Sequence, residues 1–181
     1  MRIVGGTLGG RVLRAPTGAS TRPTSEKVRE ALFSILGPID GAYVLDLFAG
    51  SGALGIEALS RGADHATFVD QSRPALRVLA GNLDELGLTD RATVIAGDAI
   101  AVAQRPPPRP WQLVLVDPPY ASDLAVRAVQ AIPRAHLAAG ARFVIEHDKR
   151  HAPPEALGSL LRTDHRRYGD TLLSFFGAAQ T

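Results

Sequence analysis

Apolar and polar positions form alternating blocks along most of the chain. From residue 43 onward, short apolar runs typical of buried strands are separated by segments whose apolar residues recur at helical spacing. The predicted strands are 43–48, 66–69, 92–96, 113–116, 141–145, 161–168 and 172–177. The predicted helices are 53–61, 74–86, 100–104, 124–132 and 154–161, and Ser72 is the expected N-cap of the second of these. This alternation favours an α/β fold with a doubly wound, mostly parallel seven-stranded sheet.

The N-terminal part of the chain follows a different pattern. Two β-prone runs, 2–4 and 11–13, flank a glycine-rich stretch and predict a small hairpin. A proline-containing linker leads to an amphipathic helix over 26–36, with Thr24 or Ser25 as its N-cap. We therefore divide the chain into an extension, 1–37, and a main domain, 38–181.

Charge changes the interpretation of this extension. The whole protein of 181 residues carries a net charge of +2, but residues 1–37 hold six basic and two acidic residues. A basic extension on a near-neutral body favours a polyanionic partner such as RNA, although a solvated surface segment explains the charges equally well. The absence of cysteine excludes disulfides and thiolate metal ligands. We expect a cytoplasmic monomer that uses no metal and does not contact membranes.

A glycine-rich segment follows the first predicted strand of the main domain. Gly50-x-Gly52-x-x-Gly55 matches a dinucleotide-binding pattern, so a nicotinamide dehydrogenase is one alternative. Asp46 opposes that alternative, because its carboxylate precedes the loop where a pyrophosphate would bind. S-adenosylmethionine instead offers an ammonium and a sulfonium, which favour an adjacent carboxylate. Asp70 is then expected to bind the ribose, and Asp98 with Ala99 to hold the adenine, although aspartates at strand ends also cap helices.

A second motif, Asp117-Pro118-Pro119-Tyr120, follows the strand predicted at 113–116. The lone pair of an exocyclic amine is delocalised into its ring, and hydrogen-bond acceptors on the N–H groups localise it and stabilise developing positive charge. Asp117 and the carbonyl of Pro118 supply such acceptors, the prolines fix the backbone, and Tyr120 offers a stacking surface. The motif predicts methyl transfer to a planar amine and does not distinguish guanine from adenine.

These motifs together resemble a known family. The segments 46–55 and 117–120 are similar to class I S-adenosylmethionine-dependent amino-methyltransferases. The segments 2–6, 21–24, 28–33, 59–63 and 168–171 extend the similarity to the RsmD-like family, which methylates the N2 amine of a guanine in 16S ribosomal RNA. The resemblance implies an enzyme that acts on that RNA, either naked or within an assembling small ribosomal subunit. An adenine-N6 methyltransferase and a non-catalytic RNA-binding module with a vestigial cofactor site are the alternatives.

The resemblance also implies residue roles. Arg22 and Thr24 are expected to close over the cofactor, and Asp117 with the three residues after it to bind the target base. The full set of predicted cofactor-binding residues is Arg22, Thr24, Asp46, Phe48, Gly50, Ser51, Gly52, Asp70, Gln71, Asp98, Ala99 and Asp117. The predicted catalytic residues are Asp117, Pro118, Pro119 and Tyr120, and the predicted RNA-binding residues are Arg2, Arg11, Arg14, Arg22 and Tyr120. The proline run 106–110 is not a feature of this resemblance.

Overall fold

The computed structural model describes residues 1–15, 25–118 and 123–178, which form one eight-stranded sheet flanked by helices. The strands are β1 Tyr43–Leu47, β2 His65–Asp70, β3 Ala92–Ala96, β4 Trp111–Val116, β5 Leu137–His147, β6 Ala156–Leu157, β7 Leu160–Tyr168 and β8 Thr171–Ala178. The helices are α1 Glu26–Leu36, α2 Ala53–Ser60, α3 Arg73–Glu85, α4 Ala99–Ala103 and α5 Leu124–Gln130.

The strand order is β3-β2-β1-β4-β5-β8-β7-β6. The first five of these strands are parallel, whereas β8, β7 and β6 pair in antiparallel fashion. The order reverses between β1 and β4, so the carboxyl ends of these two strands border the crevice where ligands bind in sheets of this type. The predicted doubly wound, mostly parallel fold is confirmed.

The core has two halves because successive residues of a strand point to opposite faces of the sheet. Val44 belongs to the cluster under α1, α2 and α3, whereas Leu45 belongs to the cluster under α4 and α5. Both side chains are essentially inaccessible to solvent. The near-continuous apolar character of β1 and β4 follows from this coverage of both faces.

The N-terminal residues pack onto the first of these halves. An antiparallel bridge joins Arg2 to Val12, and the side chains of Ile3 and Leu13 are buried in the same cluster as α1. The amide of Ile3 donates to the carbonyl oxygen of Arg11 at 2.9 Å. This pairing agrees with the predicted hairpin, and the segment shares its core with the sheet.

One predicted helix is wrong. The residues predicted as a helix over 154–161 instead form β6, a turn and the start of β7, and this adds the eighth strand. The helix-favouring sequence around Glu155 and Ala156 is overruled because an antiparallel pairing buries Leu157 and Leu160 against the core. The strand predicted over 141–145 is also longer, because β5 begins at Leu137.

Local signals at the helix ends are confirmed. The hydroxyl of Ser25 accepts from the amide of Val28 at the start of α1, and the hydroxyl of Ser72 accepts from the amide of Ala75 at the start of α3.

In the part of the chain that the structure describes, none of the helices has the length and apolar character needed to cross a bilayer.

Candidate active site

The loop between β1 and α2 has an unusual backbone. Phe48 has a φ of 65°, Gly50 of 56° and Gly52 of 85°, all in the left-handed region that side chains disfavour. The amide of Ala49 donates to the carbonyl oxygen of Val69 at 3.0 Å, which ties the loop to the end of β2. A Cβ atom on Gly50 would have no neighbour within 4 Å, so open space adjoins the loop backbone at that residue.

Asp46 lies beneath this loop, one residue before the end of β1. Its side chain is buried, and its Oδ2 accepts a hydrogen bond from the amide of Gly55 at 2.9 Å. Burial raises the pKa of Asp46 to about 7 against the opposing effect of the Gly55 hydrogen bond, and the nearby charge of Asp70 raises the pKa further. Among the described residues, Oδ1 of Asp46 has no hydrogen-bond partner, so this oxygen is available to a cationic ligand.

Asp70 supports the same loop from the end of β2. Its Oδ2 accepts from the amide of Gly50 at 2.8 Å, and its Oδ1 accepts from the amide of Ser72 at 2.7 Å. The carboxylate therefore fixes both the glycine loop and the entry to α3. Each oxygen has a second lone pair, so this structural role is compatible with the predicted contact to ribose hydroxyls.

Asp98 follows β3 and is the N-cap of α4. Its Oδ1 accepts from the amide of Ala101 at 2.9 Å, and its Oδ2 accepts from Nε2 of Gln71 at 2.9 Å. Gln71 thereby links the ends of β2 and β3, while Ala99 is buried in the first turn of α4. The structure brings these three residues to one edge of the sheet; their contact with an adenine stays a prediction.

Asp117 lies at the end of β4, beside the end of β1. Its amide donates to the carbonyl oxygen of Leu47 at 3.4 Å, and Val116 is the register partner of Leu47. Asp117 and Pro118 are half-buried at this edge. The two predicted motifs therefore meet on neighbouring strands. Four predicted site residues lie outside the described part of the chain: Arg22, Thr24, Pro119 and Tyr120.

Three of the predicted RNA-binding arginines, Arg2, Arg11 and Arg14, contact the protein itself. The guanidinium of Arg2 donates to the carbonyl oxygen of Gly10 at 2.9 Å, and that of Arg11 donates to the carbonyl oxygen of Glu85 at 3.3 Å. Arg14 forms an ion pair with the carboxylate of Glu85. All three arginines are exposed, and their contact with RNA stays a prediction.

Sequence reasoning missed three polar residues that hold the N-terminal segment against α2 and α3. The buried carboxylate of Glu57 accepts from the amides of Val4 and Gly5, each at 2.8 Å. Ser60 donates to the carbonyl oxygen of Gly5, and Asn82 bonds to the backbone of Arg14. The available signal was a polar residue on a helix face that is otherwise apolar, as with Glu57 in Ala53–Ser60.

The strand order and the paired motifs define the class: the chain is a class I methyltransferase. Solved structures have the same architecture. The Escherichia coli protein yhhF, titled as a candidate methyltransferase, is 30% identical with a TM-score of 0.86, covering 100% of this chain and 99% of that one. The Haemophilus influenzae protein HI0767, titled as a candidate methylase, is 29% identical with a TM-score of 0.80. Its alignment covers 99% of this chain and 98% of that one.

The chain belongs to the family described as conserved hypothetical protein 95, whose model matches residues 1–177. YlbH of Bacillus subtilis (strain 168), named as a candidate rRNA methyltransferase, is 39% identical over 180 residues, 97% of this chain and 98% of that protein. Ribosomal RNA small subunit methyltransferase D of Escherichia coli (strain K12) is 40% identical over 133 residues, 73% of this chain and 66% of that protein. The resemblance predicted from the sequence is confirmed.

Proposed function

We propose that this methyltransferase transfers a methyl group from S-adenosylmethionine to the exocyclic N2 amine of a guanine in small-subunit ribosomal RNA. The observation that carries the proposal is the buried carboxylate of Asp46, whose Oδ1 has no hydrogen-bond partner among the described residues. Asp46 lies on β1, and the neighbouring strand β4 ends just before Asp117. We include in this proposal the monomeric state and the cytoplasmic location that the sequence analysis predicts.

The chemistry of the loop fits this methyl donor. When bound, S-adenosylmethionine supplies a methyl group on a sulfonium, and it carries an ammonium on its amino-acid end. Asp46 provides a carboxylate for these cationic groups, and the open space beside Gly50 allows a ligand to approach the backbone closely. Asp70 and Asp98 offer further acceptors along the same edge for ribose hydroxyls and an exocyclic amine. A pyrophosphate would instead meet the charge of Asp46.

The target amine is assigned to the end of β4. Asp117 and the carbonyl of Pro118 accept its N–H groups, which localises the nitrogen lone pair and stabilises the positive charge that develops during transfer. The methyl group leaves the sulfonium sulfur, which becomes a neutral thioether, and the positively charged methylated nitrogen then gives one proton to water. This nitrogen is acidic enough that no histidine base is needed. Tyr120 is proposed to stack on the base, as the sequence predicts.

The extension 1–37 is proposed to dock the RNA. The excess of basic over acidic residues in the extension supports this role, as does the exposure of Arg2 and Arg11, whereas the buried Arg29 takes no part. Changing both arginines to glutamine should weaken RNA binding and make the slope of binding against salt shallower by about one to two. The same double change to glutamine at Arg127, in α5, and Arg134, just after it, is the matched control. An equal effect there would refute docking by the extension.

The direct test measures tritiated methyl transfer to ribosomal RNA, followed by nucleoside analysis. Naked RNA and small subunits stripped of methylation are supplied separately, because the docking surface does not specify which is used. Label in N2-methylguanosine supports the proposal. Label in N6-methyladenosine would assign the alternative that the Asp117–Tyr120 motif also allows, and failure to bind S-adenosylmethionine in calorimetry would overturn the proposal as a whole.

A further inference from the structure

A single buried amide connects the N-terminal segment with the glycine loop. Asn82 lies on α3, with 1% of its surface exposed. The amide of Arg14 donates to its Oδ1 at 2.9 Å, and its Nδ2 donates to the carbonyl oxygen of Arg14 at 3.1 Å. The same Nδ2 donates to the carbonyl oxygen of Ser51, also at 3.1 Å. One side chain thus bonds both segments.

The orientation of this amide is determined by its partners. The Arg14 amide can only donate, so it must face Oδ1, and the two carbonyl oxygens can only accept, so both must face Nδ2. Both hydrogens of Nδ2 are therefore used. Replacing the amide by a carboxylate keeps an acceptor for Arg14 but leaves the Ser51 carbonyl without a donor in a buried position, which is costly.

The elements on either side of the loop support the same connection. Leu79, one turn before Asn82, lies where a Cβ atom on Gly52 would come within 2.3 Å of its Cδ1, so α3 backs the loop directly. On α2, which begins at the end of the loop, Ser60 accepts from the amide of Leu8 at 3.0 Å. The N-terminal segment is consequently attached both to the helix that follows the loop and to the helix behind it.

We propose that Asn82 is a positioning residue that makes cofactor affinity depend on the docked N-terminal segment. It holds the Ser51 carbonyl, and with it the backbone of the left-handed glycines, in the conformation that receives the methyl donor. Arg14 is the point at which the segment contributes to this geometry. The inference rests on the proposed function, since it requires the glycine loop to be the cofactor site.

The first test compares Asn82→Asp with the wild type by calorimetric titration of S-adenosylmethionine. The Kd should rise about tenfold, the effect of losing one or two buried hydrogen bonds. With saturating cofactor, kcat should stay within about twofold of the wild type, because the variant alters loop placement and not the target site. Asn82→Ala, which removes all three hydrogen bonds without adding a charge, is the second variant in case the aspartate does not fold.

Leu83→Ala is the matched control for a purely structural role. Leu83 is the next residue on α3 and is buried in the same core, and its side chain makes no polar contact with the loop. This variant should lower Tm at least as much as Asn82→Asp while its Kd stays within about twofold of the wild type. A Kd that follows Tm equally in both variants would overturn the inference.

The dependence on the N-terminal segment is tested by a double-mutant cycle with Gly6→Ala. Gly6 has a φ of 78°, and a Cβ atom there would lie 1.9 Å from the carbonyl oxygen of Ser60, so the change undocks the segment without touching the loop. It should raise Kd in the wild-type background and add little to Asn82→Asp. Additive effects would refute the coupling, whereas a wild-type protein that binds no S-adenosylmethionine would refute the proposed function.

Discussion

The amide of Gly55, in the first turn of α2, donates a hydrogen bond to the buried carboxylate of Asp46 across 2.9 Å. A Cβ atom on Gly55 would lie 3.0 Å from that carboxylate and 2.3 Å from Cε1 of Phe68. The glycine therefore lets the start of α2 approach β1 closely enough to make this bond. The bond occupies one carboxylate oxygen, and the other has no partner within the described ranges, so the residue combines a structural contact with a proposed binding role.

Asp46→Asn should increase stability above pH 7. The pKa of Asp46 is raised to about 7 by burial, so between its ordinary value and 7 the folded protein binds more protons than the unfolded chain. The contribution of Asp46 to the free energy of unfolding is therefore fully present below the ordinary pKa of an aspartate and is lost as the pH rises through 7. Asparagine keeps the acceptor for Gly55 and has no charge to desolvate. The gain at pH 8 should be on the order of a few kcal/mol, measured by denaturant unfolding.

The control for this prediction is Asp90→Asn, a change of an exposed aspartate in the turn before β3. It should alter the free energy of unfolding by less than about 0.5 kcal/mol at either pH. Equal stability of Asp46→Asn and the wild type at pH 8 would contradict a carboxylate that is charged at a free-energy cost. Asp46→Asn should bind the cofactor more weakly than the wild type, so the same substitution raises stability and lowers cofactor affinity.

Cofactor binding should release protons near neutral pH. With a pKa of about 7, Asp46 is partly protonated at pH 7, and a bound cation favours its charged form. Calorimetry at pH 7 in buffers of different ionisation enthalpy should show release of roughly half a proton, falling towards zero at pH 9. The same titration of Asp46→Asn measures any protons that the ligand itself releases on binding. Equal proton release by wild type and variant would exclude Asp46 as the source.

Asp117→Ala should reduce methyl transfer severely and leave cofactor affinity nearly unchanged. The carboxylate is proposed to accept from the target amine, and its loss removes stabilisation of the charge that develops on nitrogen, worth about 10²–10³ in kcat. Single-turnover methylation and calorimetry measure the two properties separately. Asp123→Ala, which removes an exposed aspartate from the same loop region, is the control and should retain activity. Lost affinity with normal turnover at saturating cofactor would refute the assigned role.

Gly55→Ala should destabilise the protein by roughly 1–3 kcal/mol, because the added methyl group forces Phe68 or α2 to move. Cofactor affinity should fall as well, because the hydrogen bond from the amide of residue 55 to the carboxylate of Asp46 lengthens. The matched change is Gly81→Ala in α3, where a Cβ atom would meet nothing within 4 Å. That variant should be neutral or slightly more stable, because alanine favours the helix. Thermal unfolding of both variants measures the difference. Similar shifts in Tm would contradict the close approach of α2 to Phe68 at Gly55.

Much of the fold is encoded in local pattern. The apolar run ending at Asp46, the glycines after it and the cap at Ser72 each depend on residues within a few positions, and all three predicted features are present. The seven predicted strands all exist, with ends shifted by up to a few residues. The predicted helix over 154–161 failed because burial of Leu157 and Leu160 outweighed local helix preference.

The sequence alone determined which residues can carry the chemistry: an acid before a glycine loop, and an acid followed by two prolines. Only the tertiary structure decided that Asp46 is buried with one oxygen that bonds to none of the described residues, and that Asp117 lies against Leu47 on the neighbouring strand. It alone revealed Asn82, which joins Arg14 to Ser51 across more than thirty residues of sequence. Strand pairing and burial bring segments that are distant in sequence into contact. A pattern that repeats every few residues does not specify which distant segments will meet.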